Sequence, residues 1–227
     1  MKSLPALTVA LACLAAGAFA QAPATPKAPD PSLAPITDNP ALPRVLLIGD
    51  SISIGYTGPV RELLKDKANV HRIPQNGGPT KLGMEKIDAW VGTGKWDVIH
   101  FNWGIHDLKY MPDEKRQVEP GDYEKNLRTL VARMKATGAK LIWATTTPIP
   151  SGELVPSRRF GEVAEYNAIA EKVMKENGVA IDDLNAAVTP QIEKLQNPKD
   201  VHYNAGGYKF LAGEVAKSIE AALPKAK

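Results

Sequence analysis

The sequence predicts an α/β protein: a three-layer α/β/α sandwich built on a five-stranded parallel sheet. Apolar runs of strand length recur at "RVLLIG" (44–49), "NVHRI" (69–73), "WDVIHFN" (96–102), "AKLIWAT" (139–145) and "VAIDDL" (179–184). The segments between them carry apolar residues at helical spacing, the signature of parallel strands joined by crossover helices. Glycines and small polar residues gather just after the strand runs, where ligands bind in open sheets of this kind.

Residues 1–20, "MKSLPALTVALACLAAGAFA", hold one early lysine, an apolar stretch too short for a membrane span, and small residues at Ala18 and Ala20. They read as a secretory signal cleaved after Ala20, leaving no integral span in the mature chain. Lipidation at Cys13 is the rival, but it leaves "LAAGAFA" without a role. Residues 21–43, rich in proline and alanine and without periodicity, read as a tether. The domain proper is expected over 44–227. There is no internal repeat.

The chain has 227 residues, 44% of them hydrophobic, enough for one substantial core. Its net charge is +3, and loss of the signal removes one lysine and no acid, a balance that argues against nucleic acid as a partner. Cys13 is the single cysteine, so the mature chain has neither disulfide nor thiol chemistry.

Helices are expected over 122–135, with Leu127, Leu130, Val131 and Met134 on one face and Gly138 beyond the end; along the stripe Val163, Tyr166, Ala170, Val173 and Met174 before Asn177-Gly178; and over 205–222. A further helix carries Met84, Ile87 and Trp90. The rim then consists of Gly49-Asp50-Ser51, Asn76-Gly77-Gly78, Asn102 to Asp107 and Thr145 to Pro148, with His202 just before the last helix.

In "GDSIS", Asp50, Ser51 or Ser53 can simply cap a helix; equally, Ser51 can be a nucleophile at a strand-to-helix turn, its N–H at the positive helix end. The G-x-S-x-G elbow is absent, as are the phosphate-loop and dinucleotide glycine patterns. His71, His100, His106 and His202 are dispersed and no H-E-x-x-H occurs, so no metal and no cofactor are expected; His100, inside a strand, reads as buried structure.

The ordered set "GDSIS", "NGGPTKLG", "FNWGIHDLKY" and "NPKDVHYNAGGYKF" resembles the SGNH, or GDSL-type, hydrolase family over most of 44–222. The resemblance implies the flavodoxin-like SGNH fold and a serine esterase without cofactor. It makes Ser51 the nucleophile and His202 the general base. The oxyanion donors would be the N–H groups of Ser51 and Gly78, with Gly77 as fallback, and a side chain from the third segment. There the family has a glycine, then two positions on an asparagine, then an aspartate. This chain has Gly104, Ile105, His106, Asp107, so His106 stands in the asparagine position and Asn102 is a rival donor. A neutral imidazole still donates one N–H. The family acid lies three residues before the histidine, where this chain has Lys199; Asp200 is two before. Asp200, a backbone carbonyl, or no acid at all are the alternatives for orienting His202.

Trp103, Tyr110 and Trp143 fall near the rim, as core or as a pocket lining. The loops 109–123 and 148–160 leave strand ends and could wall a site, with Arg158 and Arg159 available to a negative group. The expected activity is an exported carboxylic ester hydrolase acting on a small-molecule or glycan ester, carbohydrate deacetylation first. Lipase or lysophospholipase action, thioester cleavage, an inactive glycan-binding module and an envelope-tethered structural protein are the alternatives. Nothing in the sequence marks an oligomeric state.

Overall fold

A computed structural model describes residues 30–224. The expected signal, and the tether as far as residue 29, lie outside the described residues. Five parallel strands form one sheet in the order β2-β1-β3-β4-β5: β1 (Arg44–Ile48), β2 (Asn69–Arg72), β3 (Val98–Phe101), β4 (Lys140–Ala144) and β5 (Ala180–Asp182). Helices α1 (Ser51–Leu64), α2 (Thr80–Val91), α3 (Pro120–Lys135), α4 (Val163–Asn177), α5 (Leu184–Val188), α6 (Ile192–Leu195) and α7 (Ala205–Ala222) complete it.

The sheet is covered on both faces, which is why its central strands read as apolar runs. Successive side chains alternate between the two layers. Leu46, Ile48, Ile99, Phe101, Leu141 and Trp143 pack with α2, α3 and α4. Val45, Leu47, Val98, Ile142 and Ala144 pack with α1, α5 and α7. Helices α1 and α7 approach so closely that a Cβ on Gly55 would fall 2.1 Å from the Tyr208 ring.

All five strands are shorter than the apolar runs, β3 and β5 the most. β3 stops at Phe101 because the Asn102 side chain turns to the end of β4. β5 stops at Asp182 because the Asp183 side chain caps α5, accepting from the Ala186 N–H. α3 starts two residues earlier than expected, at Pro120, a residue suited to a first helical turn. Trp103 and Trp143 are fully buried core residues rather than pocket lining. His100 is buried against Asp182, Nε2 to Oδ2 2.9 Å.

The described end of the tether lies on the domain. Arg61 of α1 donates to the Pro31 and Ala34 carbonyls, and the Asn69 amide of β2 donates to those of Asn39 and Leu42. Among the described residues no helix is long and apolar enough to cross a membrane.

Candidate active site

The three polar residues of "GDSIS" divide the work at the β1–α1 junction. Asp50 is the helix cap: its side chain accepts from the Ile52 N–H at 2.9 Å. Ser53 Oγ accepts from Arg72 Nη2 at 2.9 Å. Ser51, the first residue of α1, has neither duty, and its Oγ lies 2.7 Å from His202 Nε2. Its backbone N–H has no partner among the described residues and sits at the positive helix end.

His202 Nδ1 lies 2.7 Å from Asp200 Oδ1, which also accepts the His202 backbone N–H at 3.2 Å. Asp200, His202 and Ser51 thus form one hydrogen-bonded chain. A shift of one residue toward the histidine would misdirect an acid in an extended segment, but this segment is not extended. Lys199 has φ +54°, the left-handed region, and the Asp200 N–H donates to the Asn197 carbonyl. The turn swings Asp200 back to the imidazole. Burial raises the pKa of Asp200, yet the hydrogen bonds and charge of His202 outweigh it and hold the carboxyl below its ordinary range.

His106 lines the same cleft as Ser51 and His202, and neither ring nitrogen has a hydrogen-bond partner among the described residues. Burial lowers its pKa, helped by the positive charges of Arg158, Lys109 and His202 and opposed by Asp50. The neutral, single-donor imidazole is therefore the favoured form. Its position is set by neighbours that point inward. Gly104 has no room for a side chain, since a Cβ there would meet Thr146 Oγ1 at 2.2 Å. Ile105 and Asp107 are buried on either side. Asp107 Oδ1 accepts both the N–H and the hydroxyl of Thr80, tying this loop to the start of α2. Asp107 Oδ2 is buried without a partner, and burial raises this pKa to about 7.

Asn102 is placed otherwise. Its amide donates to the Ala144 carbonyl at 2.8 Å and to Thr146 Oγ1 at 3.1 Å, leaving neither amide hydrogen for an oxyanion. Between the two candidate donors the geometry favours His106. Gly78 has φ +56°, open to glycine, but its N–H donates to the Asn76 side chain at 2.8 Å. The Gly77 N–H donates to the Gly49 carbonyl. Tyr110 bonds Glu162 and carries Arg159 stacked on its ring, away from the cleft lining.

The residue that motif reading missed is Arg72, at the end of β2. It is buried, with its Nη2 donating to the carbonyls of Gly49 and Asp50 as well as to Ser53, and Nη1 to those of Ile73 and Gln75. Burial lowers its pKa to about 10, so it stays charged at neutral pH. It clamps the main chain on which Ser51 rides. The one available signal was a charged residue inside the apolar run "NVHRI".

The cleft itself has a volume of about 190 Å³ and is walled by Ser51, His106 and Lys109, by Leu154 to Pro156 and Arg158 of the 148–160 loop, and by Lys199 to His202. Among the described residues no group of three or more His, Cys, Asp or Glu side chains could hold a metal ion.

Residues 47–210, a span that contains all of these groups, match the GDSL-like lipase/acylhydrolase family. The chain belongs to this family. It is accordingly an ester-hydrolysing enzyme, with the α/β fold of the SGNH hydrolases. Solved structures similar to this acylhydrolase include a lipase/acylhydrolase from Enterococcus faecalis (TM-score 0.69, 20% identity, covering 82% of this chain and 99% of that one). An acetyl xylan esterase is similar with TM-score 0.67 and 19% identity, covering 78% and 99%. An acetylxylan esterase from Geobacillus stearothermophilus gives 0.65 and 22%, covering 81% and 97%. No curated protein sequence matches the chain.

Proposed function

We propose that this acylhydrolase is an exported serine esterase that removes a small acyl group, acetyl first, from a carbohydrate. The observation that carries the mechanism is the unbroken path Asp200–His202–Ser51, with both contacts at 2.7 Å, opening on the cleft. His202 Nε2 takes the proton of Ser51 as Oγ attacks the ester carbonyl. The carbonyl oxygen becomes an oxyanion that the Ser51 N–H and the His106 ring N–H face, and the Gly78 N–H joins when the Asn76 side chain releases it. Collapse expels the alkoxide, which receives the proton from His202. Water, deprotonated by the same imidazole, then attacks the acyl-enzyme, and its collapse returns the proton to Ser51 and frees the acid. Asp200 accepts from Nδ1, keeping Nε2 as the basic nitrogen.

The signal pattern of residues 1–20 supports export, and recovery of a chain starting at Gln21 from an envelope fraction tests it. A sugar substrate is supported by the small, mixed polar cleft and by the acetylxylan esterases among the structures of like fold. The exposed Val155 and Phe160 on the 148–160 loop favour a second reading, a longer acyl chain. Hydrolysis of p-nitrophenyl acetate, butyrate and octanoate separates the two. Ser51→Ala is expected to lower kcat by at least roughly 10⁴-fold, with loss of fluorophosphonate labelling. Equal rates for wild type and variant would leave only a binding module.

A further inference from the structure

Arg158 is buried, 8% exposed, yet has no acid to pair with. Nε donates to the Ile105 carbonyl at 2.8 Å, and Nη1 reaches the Pro156 carbonyl only at 3.4 Å. Among the described residues Nη2 has no partner and no carboxylate forms an ion pair with this guanidinium. Three other arginines show the contrast. Arg116 and Arg128 each hold two glutamates. The equally buried Arg72 spends both terminal nitrogens on carbonyls and Ser53.

Desolvating a guanidinium is expensive unless its donors are satisfied, and its fork matches a carboxylate. Burial lowers the Arg158 pKa, opposed by Asp50 and Asp200, but an arginine so placed keeps its charge. Two further cations share its cleft. Lys109 and Lys199 line the same cleft without an ion pair among the described residues, and the one carboxylate in the lining, Asp200, is engaged by His202. A positive cleft with an unpaired buried fork beside Ser51 is suited to an anion that arrives with the substrate.

We propose that the cleft selects esters bearing a carboxylate, received by the free side of the Arg158 guanidinium with Lys109 and Lys199 adding to the field. The inference rests on the esterase reading and names its substrate class. The carboxylate can belong to the alcohol part, as in an acidic sugar, or to the acyl part, as in a dicarboxylic half-ester.

Two matched pairs test this. The first is an acetylated methyl glucuronoside against the same compound with its carboxylate converted to the amide, followed by acetate release. The second is 4-nitrophenyl hemiglutarate against 4-nitrophenyl valerate. The readout is the ratio of kcat/KM, charged over neutral, which is internal to each protein and insensitive to partial loss of folded material. Wild type is expected to favour the charged member of one pair by about tenfold or more, as a charge-assisted hydrogen bond allows, and that pair identifies the side carrying the carboxylate. Arg158→Gln collapses the ratio toward one, while Arg159→Gln, altering the arginine stacked on Tyr110, preserves it. Should Arg158→Gln fail to fold, Arg158→Lys replaces it, with an intermediate ratio expected. Ratios near one in both pairs, or a ratio undiminished in the Arg158 variant that folds, overturn the inference while Ser51-dependent hydrolysis of the neutral esters leaves the esterase reading standing. Absence of any Ser51-dependent hydrolysis removes both.

Discussion

The two sides of the candidate site are built on opposite principles. Around Ser51, the turn Gly49–Ser53 sits between buried β1 and α1 and is held from below by a buried arginine and from within by the Asp50 cap. Around His202, the turn Asn197–His202 lies at the surface: the side chains of His202 and Asp200 are 38% and 43% exposed, and the contacts that shape the turn are local. The position of Ser51 is thus a property of the whole sheet, whereas His202 is held mainly by its own turn, with Val201 as that turn's anchor in the core. Disturbance of the first side should unfold or loosen the protein; disturbance of the second should change catalysis and leave the fold alone.

The sharpest way to break that contrast is Arg72→Met. Five contacts are lost; the Gly49 and Asp50 carbonyls keep donors in Gly77 and Ile54, but the Ile73 and Gln75 carbonyls and Ser53 Oγ lose theirs. Since leaving a buried polar group unsatisfied costs about 1–3 kcal/mol, we expect stability to fall by roughly 3–5 kcal/mol in urea unfolding, together with a lower kcat. On the exposed side, Asp200→Asn should lower kcat by roughly 10²-fold by loss of the imidazole's orienting acceptor, with an unfolding midpoint close to wild type. Equal loss of stability in the two variants would erase the contrast.

Asp107 tests the buried side by pH. Its pKa, raised by burial to about 7, lies above that of an unfolded aspartate, so the folded state favours the protonated carboxyl. Its contribution is fully present below the unfolded value and is lost as pH rises through about 7. Asp107→Asn should therefore gain on wild type by roughly 2 kcal/mol between pH 5 and pH 8 in urea unfolding. A difference independent of pH would contradict the raised pKa. The smallest effect is expected at Lys199, whose left-handed backbone costs little. Lys199→Gly should raise stability by about 0.5–1 kcal/mol, measured as a shift in Tm.

What could be read in advance follows the same division. The central strands β1, β3 and β4 were legible because they are buried on both faces, and burial of that kind imprints a local run of apolar residues; β5, with Ala180 and Ile181 exposed, carries a weaker imprint. Ser51 and His202 were legible through their place in an ordered set of short segments. Arg72 was not, because its role consists of carbonyls contributed by the β1–α1 junction and the loop after β2, which no local pattern joins. Asp200 was left open because the direction of its side chain depends on one backbone angle at Lys199.

The sequence by itself determined the layer architecture and the order of the strands' chemistry, since alternation of apolar runs and helical stripes is a local consequence of two-sided burial. Only the tertiary structure showed that the Asn102 amide is spent on Ala144 and Thr146, because the ends of β3 and β4 had to be brought together first. It alone also showed Arg158 buried without an acid. Hydrogen-bond satisfaction is a property of three-dimensional neighbours, and residues distant along the chain supply them.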